Sequence, residues 1–586
     1  MNSSEIRKKF IEYFKKNTHI EIPGTPLTYK DPTLLFVNAG MVQFKPYFLG
    51  EKEPTARKIV NCQKCFRTAD IEKVGTNGRS LTFFEMLGNW SIGDYWKEEA
   101  IRLAFELLTK IYKIDKEKIW VSVFKGENNI PEDKETEEIW LKIGIPKERI
   151  VKLGIEDNFW IGGPTGPCGP CSEIYYDLGP TVGCKRKECR PGCECDRFLE
   201  IWNVVFMEYF KDEKGNISLL PQKNIDTGAG LERLTMVIEK KNSVFETDLF
   251  EPIIKELRIR NYELGNVKSE RIIADHIKGS VFLISEGILP SNVERGYVLR
   301  RILRRAVLHS KILNLPENSL ARAAKKVIEI YKETYPEILS KQAEILTVIE
   351  NEREKFEKTL HQGLREFEKM FERGKFEPKA PSGLAAFDLY QSYGFPLELT
   401  EEMVKERGGF LNVEEFREAF KKHQEVSRVG AEKKFGGLGK VTDYNMVKLH
   451  TATHLLHAAL RKILGEKVKQ MGSDINPERL RFDFSFERKL TKEEIQKVED
   501  LVNQKIKENL EVRKEEMSLK EALESGALAF FKEKYPERVT VYTISDFSKE
   551  ICAGPHVKRT GELGSFKIIK EESAGAGIRR IRGILK

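Results

Sequence analysis

The sequence predicts a multidomain α+β protein, with a helical region between two mixed ones. Three observations lead there. Strand-like apolar runs punctuated by Gly and Pro fill the first 245 residues, helical periodicity dominates from about 246 to 440, and alternating strands and helices return after about 443. A chain of 586 residues has room for roughly three or four separate cores.

The amino end, MNSSEIRKKFIEYFKKN, repeats apolar residues at helical spacing, with Ser3 or Ser4 as the expected cap. It lacks the apolar stretch and cleavage site of a secretion signal. LLFVNAG, WVSVF and EIWNVVFMEYF read as strands and 97–112 as a helix, so a mostly antiparallel sheet is expected. Helices are predicted over 291–309, 319–333 and 337–373. RVGAEKKFGGLGKV is rich in Gly and Lys and reads as a linker. A helix over 443–464, the strand-like RLRFDFSF, a helix at 491–509 and further strands follow. The expected domains are 1–245, 246–427 and 443–586, with a linker at 428–442 and a cysteine-rich insertion at 179–196.

Charged residues make up 32% of the chain, and 99 bases against 91 acids leave a net charge of +8. That balance excludes a purely basic or acidic tail protein and admits a nucleic-acid partner. No run approaches the roughly 18 apolar residues of a membrane span, so no membrane partner is expected. Nine cysteines, mostly in close pairs, fit metal binding in a reducing compartment better than disulfides, so the expected location is cytoplasmic.

His450 and His454 in LHTATHLLH are i and i+4 neighbours, so both rings leave one helix face. With Cys552 and His556 of CAGPH they make a borderline-soft, tetrahedral donor set that suits Zn2+. The zinc-peptidase helix H-E-x-x-H places a general base after its first His. Here Thr451 stands there, so peptidase chemistry is not expected. His457 shares the face and would compete as a ligand. Cys184, Cys189, Cys193 and Cys195 fall in GPTVGCKRKECRPGCECD, which has almost no apolar side chain to order it. A second zinc held by these four thiolates is one reading. Free thiols on a loop are another, and a set that borrows Cys168 or Cys171 a third. Cys62 and Cys65 form a CxxC within a strand arm and are expected to pack.

In the first region Arg67 and Arg233 lie on separate elements, as gripping an extended polyphosphate requires. Gly228, Ala229 and Gly230 would let a nucleotide approach the backbone. Neither GxxxxGK[ST] nor GxGxxG occurs. In the helical region, arginines 300, 301, 304 and 305 in GYVLRRILRRAVLH form a basic stripe suited to phosphate contacts.

NAGMVQFK, TFFEMLGNWSIGDY, NFWIGGPTGPCGPCSEI, EIWNVVFME, DTGAGLER, LPSNVERGYVLRRILRRA, YGFPLEL and HTATHLLH occur in this order. Together they resemble the class II aminoacyl-tRNA synthetases, and among them the alanyl-tRNA synthetase family. The resemblance implies a class II antiparallel sheet with helices, a helical tRNA-recognition domain and a zinc editing domain. It implies two-step catalysis with ATP, Mg2+ and Zn2+ as cofactors and alanine and tRNA(Ala) as partners. By matched position Arg67 would contact the α-phosphate and alanine carboxylate. Phe84 would stack on adenine with Glu85 at its edge, and Arg233 would hold the γ-phosphate end. Asp226 would pair with the substrate ammonium, while Trp160, Asn203, Val205 and Gly228 line the small pocket. Asn292, with Glu398 in place of the family's Asp, would read the G·U pair of tRNA(Ala), beside Arg300, Arg301, Arg304 and Arg305. The family's paired His before TFFEM is replaced by Ser80 and Leu81, which leaves that pair's role open.

Rejection of serine or glycine by an alanine pocket is worth only about 1–3 kcal/mol, so a second hydrolytic site is expected. The resemblance places it in the zinc domain, where Gln470 and Ser473 match editing positions and Arg579 and Arg580 would grip the tRNA end. The family's CGGTH is CAGPH here, and Pro555 removes an N–H and a hydroxyl, which is expected to weaken editing. The family's β-barrel segment before HTATHLLH and its carboxyl-terminal domain have no counterpart, so a monomer that relies on the acceptor stem is expected. The competing readings are a catalytically silent tRNA-binding or editing-only relative and a zinc hydrolase with an appended nucleotide site. The missing Glu in HTATH speaks against the last.

Overall fold

The strand runs of the first region assemble into a nine-stranded sheet in the computed structural model. Its strands are β1 (Ile20–Glu21), β2 (Lys58–Phe66), β3 (Phe83–Ile92), β4 (Ile119–Phe124), β5 (Ile150–Leu153), β6 (Phe159–Ile161), β7 (Gly166–Asp177), β8 (Phe198–Lys211) and β9 (Ile217–Gly230). Their order is β1-β2-β3-β9-β8-β7-β4-β5, with β6 paired to β7. The pairs β1–β2 and β4–β5 are parallel and the others antiparallel. The structure describes residues 1–31, 34–163, 165–186, 188–193, 195–258, 266–422, 443–466, 468–529, 537–575 and 577–586. They fall into two units, Met1–Asn412 and Val413–Lys586. The expected linker at 428–442 lies outside the described residues.

Alternation along β3 gives the sheet two different faces. Phe83 and Glu85 point to the face covered by helices Ser3–Lys16, Leu231–Ile238 and Val267–Ser285. There Phe83 stacks on Phe282 with centroids 3.9 Å apart. Phe84, Met86 and Trp90 point the other way, where Met86 and Trp90 join Val205, Met207 and Cys171 in a core closed by Val37, Met41 and Phe44.

Several elements differ from expectation for local reasons. LLFVNAG is not a strand. Val37 and Ala39 cover the open face of the sheet while Phe36 packs on Phe66, and the stretch makes only isolated backbone bonds, such as Val37 N to Leu27 O at 3.0 Å and Phe66 N to Val37 O at 2.8 Å. The first helix is capped by Asn2, which shares a capping box with Glu5. Ser3 instead donates its hydroxyl to Asp248 at 2.8 Å. The helix predicted over 97–112 is α-helical only over Lys97–Glu106 and ends in a π turn, Leu107–Ile111. That over 337–373 is broken into Pro336–Ser340 and Gln342–Glu372. Cys65 is buried in the sheet core as expected, while Cys62 Sγ donates to Glu85 at 3.4 Å.

The basic stripe is the largest correction. Helix Glu294–Ile312 is flanked by helices Gln342–Glu372 and Leu397–Glu406, and the arginines face acids on them. Arg304 is 7% exposed and Arg305 5%. Arg304 Nε donates to Glu352 at 2.7 Å, and its Nη1 bonds the Gly394 carbonyl. Arg305 holds Glu402 through two bonds, at 2.7 and 2.9 Å, and the Ile71 carbonyl at 2.9 Å. Arg300 and Arg301 are also mostly covered, and Arg301 pairs with Glu72 and Glu398. Arg304 and Arg305 are therefore spent on internal carboxylates and are not phosphate ligands.

Among the described residues the second unit holds two antiparallel sheets. One is β10 (Gln470–Ile475), β11 (Leu480–Ser485), β16 (Ile578–Leu585) and β15 (Phe566–Gly575), in that order. The other is β12 (Val512–Ser518), β13 (Arg538–Ile544) and β14 (Ser548–Ile551). Helices Tyr444–Leu464 and Lys492–Lys507 pack on the first sheet through Leu455, Leu456, Leu460, Val498 and Val502, against Phe482, Phe484 and Ile581.

Removing one partner of a buried ion pair strands the other charge, at about 3–5 kcal/mol. Arg305→Ala should therefore lower the thermal unfolding midpoint of the first unit markedly, while Arg300→Ala should shift it little. Calorimetry of the two variants checks this.

Candidate active site and metal centre

The floor of the first site is an indole. Trp90 is fully buried, and its Nε1–H donates to Asp226 Oδ1 at 2.7 Å. Small residues make the space for it. A Cβ on Gly88 would lie 2.3 Å from the ring, and one on Gly40 2.7 Å from it. A Cβ on Gly228 would lie 2.7 Å from Met86 Sδ. Register sets the neighbours: Asp226 on β9 lies between Trp90 of β3 and Val205 of β8, and Gly228 pairs with Asn203. Trp160 of β6 packs against the same core.

Asp226 is 6% exposed. Burial pushes its carboxyl up to about 7, with the Trp90 N–H only partly opposing. No cation faces it among the described residues. Asp226 is thus a buried acid beside apolar side chains, and a bound ammonium would restore it to its charged form. Asn203 Nδ2 donates to Glu173 at 3.0 Å, while its Oδ1 is buried without a partner. Burial, then the neighbouring Glu200, raises the Glu173 carboxyl to about 8.

Two arginines flank this pocket. Arg67 follows β2, and its guanidinium lies 4.9 Å from the Phe84 ring centroid. Its Nε donates to the Asn38 carbonyl at 3.1 Å. Arg233, on helix Leu231–Ile238, donates to the Glu200 carboxylate at 2.8 Å and its carbonyl at 3.0 Å. Glu173 and Glu200 were not among the sequence candidates; the signal for Glu173 is its register opposite Asn203.

Glu85 does not share the face of Phe84. It is fully buried behind the sheet, where Arg7 donates to it at 3.0 and 2.6 Å and Tyr335 at 2.8 Å. Burial alone would raise its carboxyl, but Arg7 and its hydrogen bonds hold it below the ordinary carboxylate range. An adenine edge has no access to that carboxylate, because strand alternation turns it away. Elsewhere in this unit Asn292 is exposed and bonded by Arg300. Glu398 accepts from the Tyr297 hydroxyl at 2.9 Å and lies 3.6 Å from Arg301.

In the second unit, the ligand atoms of His450, His454, Cys552 and His556 all lie within 4.8 Å of one another. Cys552 Sγ is 3.4 Å from His450 Nε2 and 3.5 Å from His556 Nε2. A tetrahedral zinc with ordinary bond lengths sets sulfur and nitrogen ligands about 3.6 Å apart. The donor set therefore fits the ion.

Each imidazole is oriented from behind. His450 Nδ1 donates to the Pro555 carbonyl at 3.2 Å, His556 Nδ1 lies 3.2 Å from Thr451 Oγ1, and His454 Nδ1 is 3.0 Å from Glu550 as an ion pair outside hydrogen-bond geometry. Such partners fix the tautomer and leave Nε2 for a metal. His457 Nδ1 donates to the same Glu550 at 2.8 Å, which makes it a support rather than a fourth imidazole ligand. A Cβ at Gly554 would come within 2.3 Å of the His450 ring. The carbonyl at Pro555 serves His450 whether or not the residue has an N–H. Burial opposes a thiolate at Cys552, yet the three imidazoles outweigh it and bring the thiol down to about 2. Gln470 Nε2 donates to Ser473 Oγ at 3.0 Å on β10. Arg579 and Arg580 are paired with Glu571 and Asp483.

Residues 5–476 match the family of tRNA synthetases class II (A). The chain belongs to that family. Residues 539–582 of this class II synthetase match the threonyl and alanyl tRNA synthetase second additional domain, a stretch that contains Glu550, Cys552 and His556. Three proteins named Alanine--tRNA ligase are similar to the synthetase. That of Borrelia hermsii (strain HS1 / DAH) is 48% identical over 599 residues, covering 100% of both chains. That of Treponema denticola is 48% identical and spans 99% of the synthetase and 98% of its own length. That of Thermoanaerobacter sp. (strain X514) is 39% identical, with 100% of the synthetase aligned to 79% of that protein. The mostly antiparallel sheet is thus a class II sheet, and no helix among the described residues is long and apolar enough to cross a membrane.

Two outcomes follow. Glu550→Gln should weaken zinc binding by about 10–100-fold, read by chelator competition. The raised Asp226 carboxyl contributes stability at low pH that is lost as pH rises through about 7, whereas an ammonium ligand needs it ionised. The kcat/KM for an amino-acid substrate should therefore fall by about tenfold per pH unit below that value, read as amino-acid-dependent ATP–pyrophosphate exchange.

Proposed function

We propose that this synthetase joins alanine to tRNA(Ala) at the expense of ATP and hydrolyses Ser-tRNA(Ala) and Gly-tRNA(Ala) at a second site. The observation that carries the first activity is Asp226, a buried acid without a cation in a pocket floored by Trp90 and walled by Val205. An α-ammonium supplies the missing charge, and the apolar side chains of Trp90 and Val205 suit a small aliphatic group. The full-length likeness to proteins named Alanine--tRNA ligase supports the same substrate.

In this reading Asp226 fixes the ammonium, with Asn203, Val205, Trp160 and Gly228 around the methyl end. Arg67 bridges the alanine carboxylate and the α-phosphate of magnesium-bound ATP, Phe84 stacks on adenine, and Arg233 takes the γ-phosphate end. The carboxylate oxygen attacks the α-phosphorus, and the bond to pyrophosphate breaks. The terminal ribose hydroxyl of the tRNA then attacks the activated carbonyl, and AMP leaves. Alignment and charge stabilisation supply the acceleration, with no side-chain nucleophile.

Residues 1–245 carry this chemistry, and 246–427 receive the acceptor stem through Asn292 and Glu398, flanked by Arg300 and Arg301. Residues 443–586 proofread. His450, His454, Cys552 and His556 would hold zinc there, which when bound supplies a Lewis acid. Glu550, Pro555 and Thr451 orient those ligands, and Gln470 and Ser473 stand where the misacylated end is met. The protein works as a monomer in the cytoplasm.

Alanine-dependent ATP–pyrophosphate exchange in wild type, reduced at least about 10²–10³-fold in Arg67→Ala, is the expected result. Charging of transcribed tRNA(Ala) should require its G·U pair, and His454→Ala should accumulate Ser-tRNA(Ala). Hydrolysis of Ser-tRNA(Ala) without any exchange would identify an editing-only relative instead. Light scattering should give one chain per particle at micromolar protein.

A further inference from the structure

The connection between β7 and β8 carries four thiols that none of this chemistry uses. The Sγ atoms of Cys184, Cys189, Cys193 and Cys195 all lie within 4.8 Å of one another. Cys184 and Cys193 are 3.6 Å apart, and Cys189 and Cys195 are 3.4 Å apart. A disulfide would bring sulfurs to about 2.05 Å. Four sulfurs bonded to one zinc at about 2.3 Å stand about 3.8 Å apart. The observed spacing is close to the second case and far from the first.

Three of the sulfurs also meet the backbone. Backbone N–H groups two residues on face three of the sulfurs: Arg186 toward Cys184, Cys195 toward Cys193 and Arg197 toward Cys195. Little else can order this connection. Of its two large aliphatic residues, Leu178 is half-buried at the start and Val182 is 40% exposed. The cysteines themselves rest on Trp120 of β4, Tyr175 of β7 and Phe198 of β8. Cys168 and Cys171 take no part, since both are buried in the sheet with Phe159 and Val205 respectively.

We infer that Cys184, Cys189, Cys193 and Cys195 form a tetrathiolate zinc site, separate from the histidine-rich one, that staples the β7–β8 hairpin. The staple sits at the entry to β8. Immediately after Cys195, Asp196 pairs with Arg79 at 3.3 Å, and Arg197 grips Asp177 at the end of β7 through two bonds of 2.7 Å. Phe198 then starts the strand that carries Glu200, Asn203 and Val205.

Elemental analysis of the full chain, purified with zinc chloride present and without chelator, tests this. Two zinc ions per chain are expected in wild type, one in His454→Ala/Cys552→Ala, and one in Cys189→Ser/Cys195→Ser. With cobalt in place of zinc, the strong sulfur-to-cobalt absorption should survive in the first variant and collapse in the second. A wild type with one ion that disappears in His454→Ala/Cys552→Ala would overturn the inference, even if the cysteine variant fails to fold. So would thiol titration of the denatured protein showing these sulfurs paired as disulfides.

Discussion

The alternation of side chains along β3 is the constraint on which the first unit depends. Odd positions put Phe83 and Glu85 among the helices, and even positions put Phe84, Met86 and Trp90 on the open face. A slip of one residue would exchange the two sets and bring a carboxylate into an apolar pocket. Both neighbours fix the register. β2 pairs Cys65 with Phe84, and β9 sets Asp226 opposite Trp90. The Trp90–Asp226 hydrogen bond is then a consequence of strand pairing, and the pocket needs only glycines at 40, 88 and 228 to make room for it.

Behind the sheet the same regularity buries charge. Glu85 meets Arg7 and Tyr335, Lys278 meets Glu232 at 2.7 Å, and Arg305 meets Glu402. Such pairs add little net stability relative to apolar residues, because desolvation offsets the attraction. They do penalise any arrangement in which one partner is missing. Arg305 also reaches the Ile71 carbonyl, and Arg301 pairs with both Glu72 and Glu398. The stretch just after Arg67 is thereby tied to the helix that carries Glu398.

Much of this was legible in the sequence, and the rest was hidden for specific reasons. The spacings HxxxH and CxxxH, and four cysteines in a short polar run, identify donor groups without knowledge of the fold, and both sets do converge. The antiparallel sheet follows from its apolar runs. Glu550 was missed because a carboxylate two residues before Cys552 has no distinctive spacing; only the return of β14 beside helix Tyr444–Leu464 brings it to His454 and His457. Arg304 and Arg305 of GYVLRRILRRAVLH were misread because periodicity reports which residues share a face, not what that face meets. Glu85 was assigned by its place in a motif, where alternation decides which side of the sheet it serves. Asn2 outcompeted Ser3 as a cap because Ser3 has a partner at Asp248, 245 residues away.

Thr451 stands where a zinc peptidase carries its general base, and its hydroxyl is fully engaged. It donates to the Val447 carbonyl, accepts from the Val557 N–H, and lies beside His556 Nδ1, each at 3.2 Å. It has no proton to lend at the first histidine. An amine leaving group must be protonated as a peptide bond breaks, whereas a ribose hydroxyl departs from an ester with far less help. A centre without an acid at this position would therefore discriminate by leaving group: the ester hydrolysis proposed for it asks less of such a donor than cleavage of a peptide bond, so the cell's own proteins would remain intact around it.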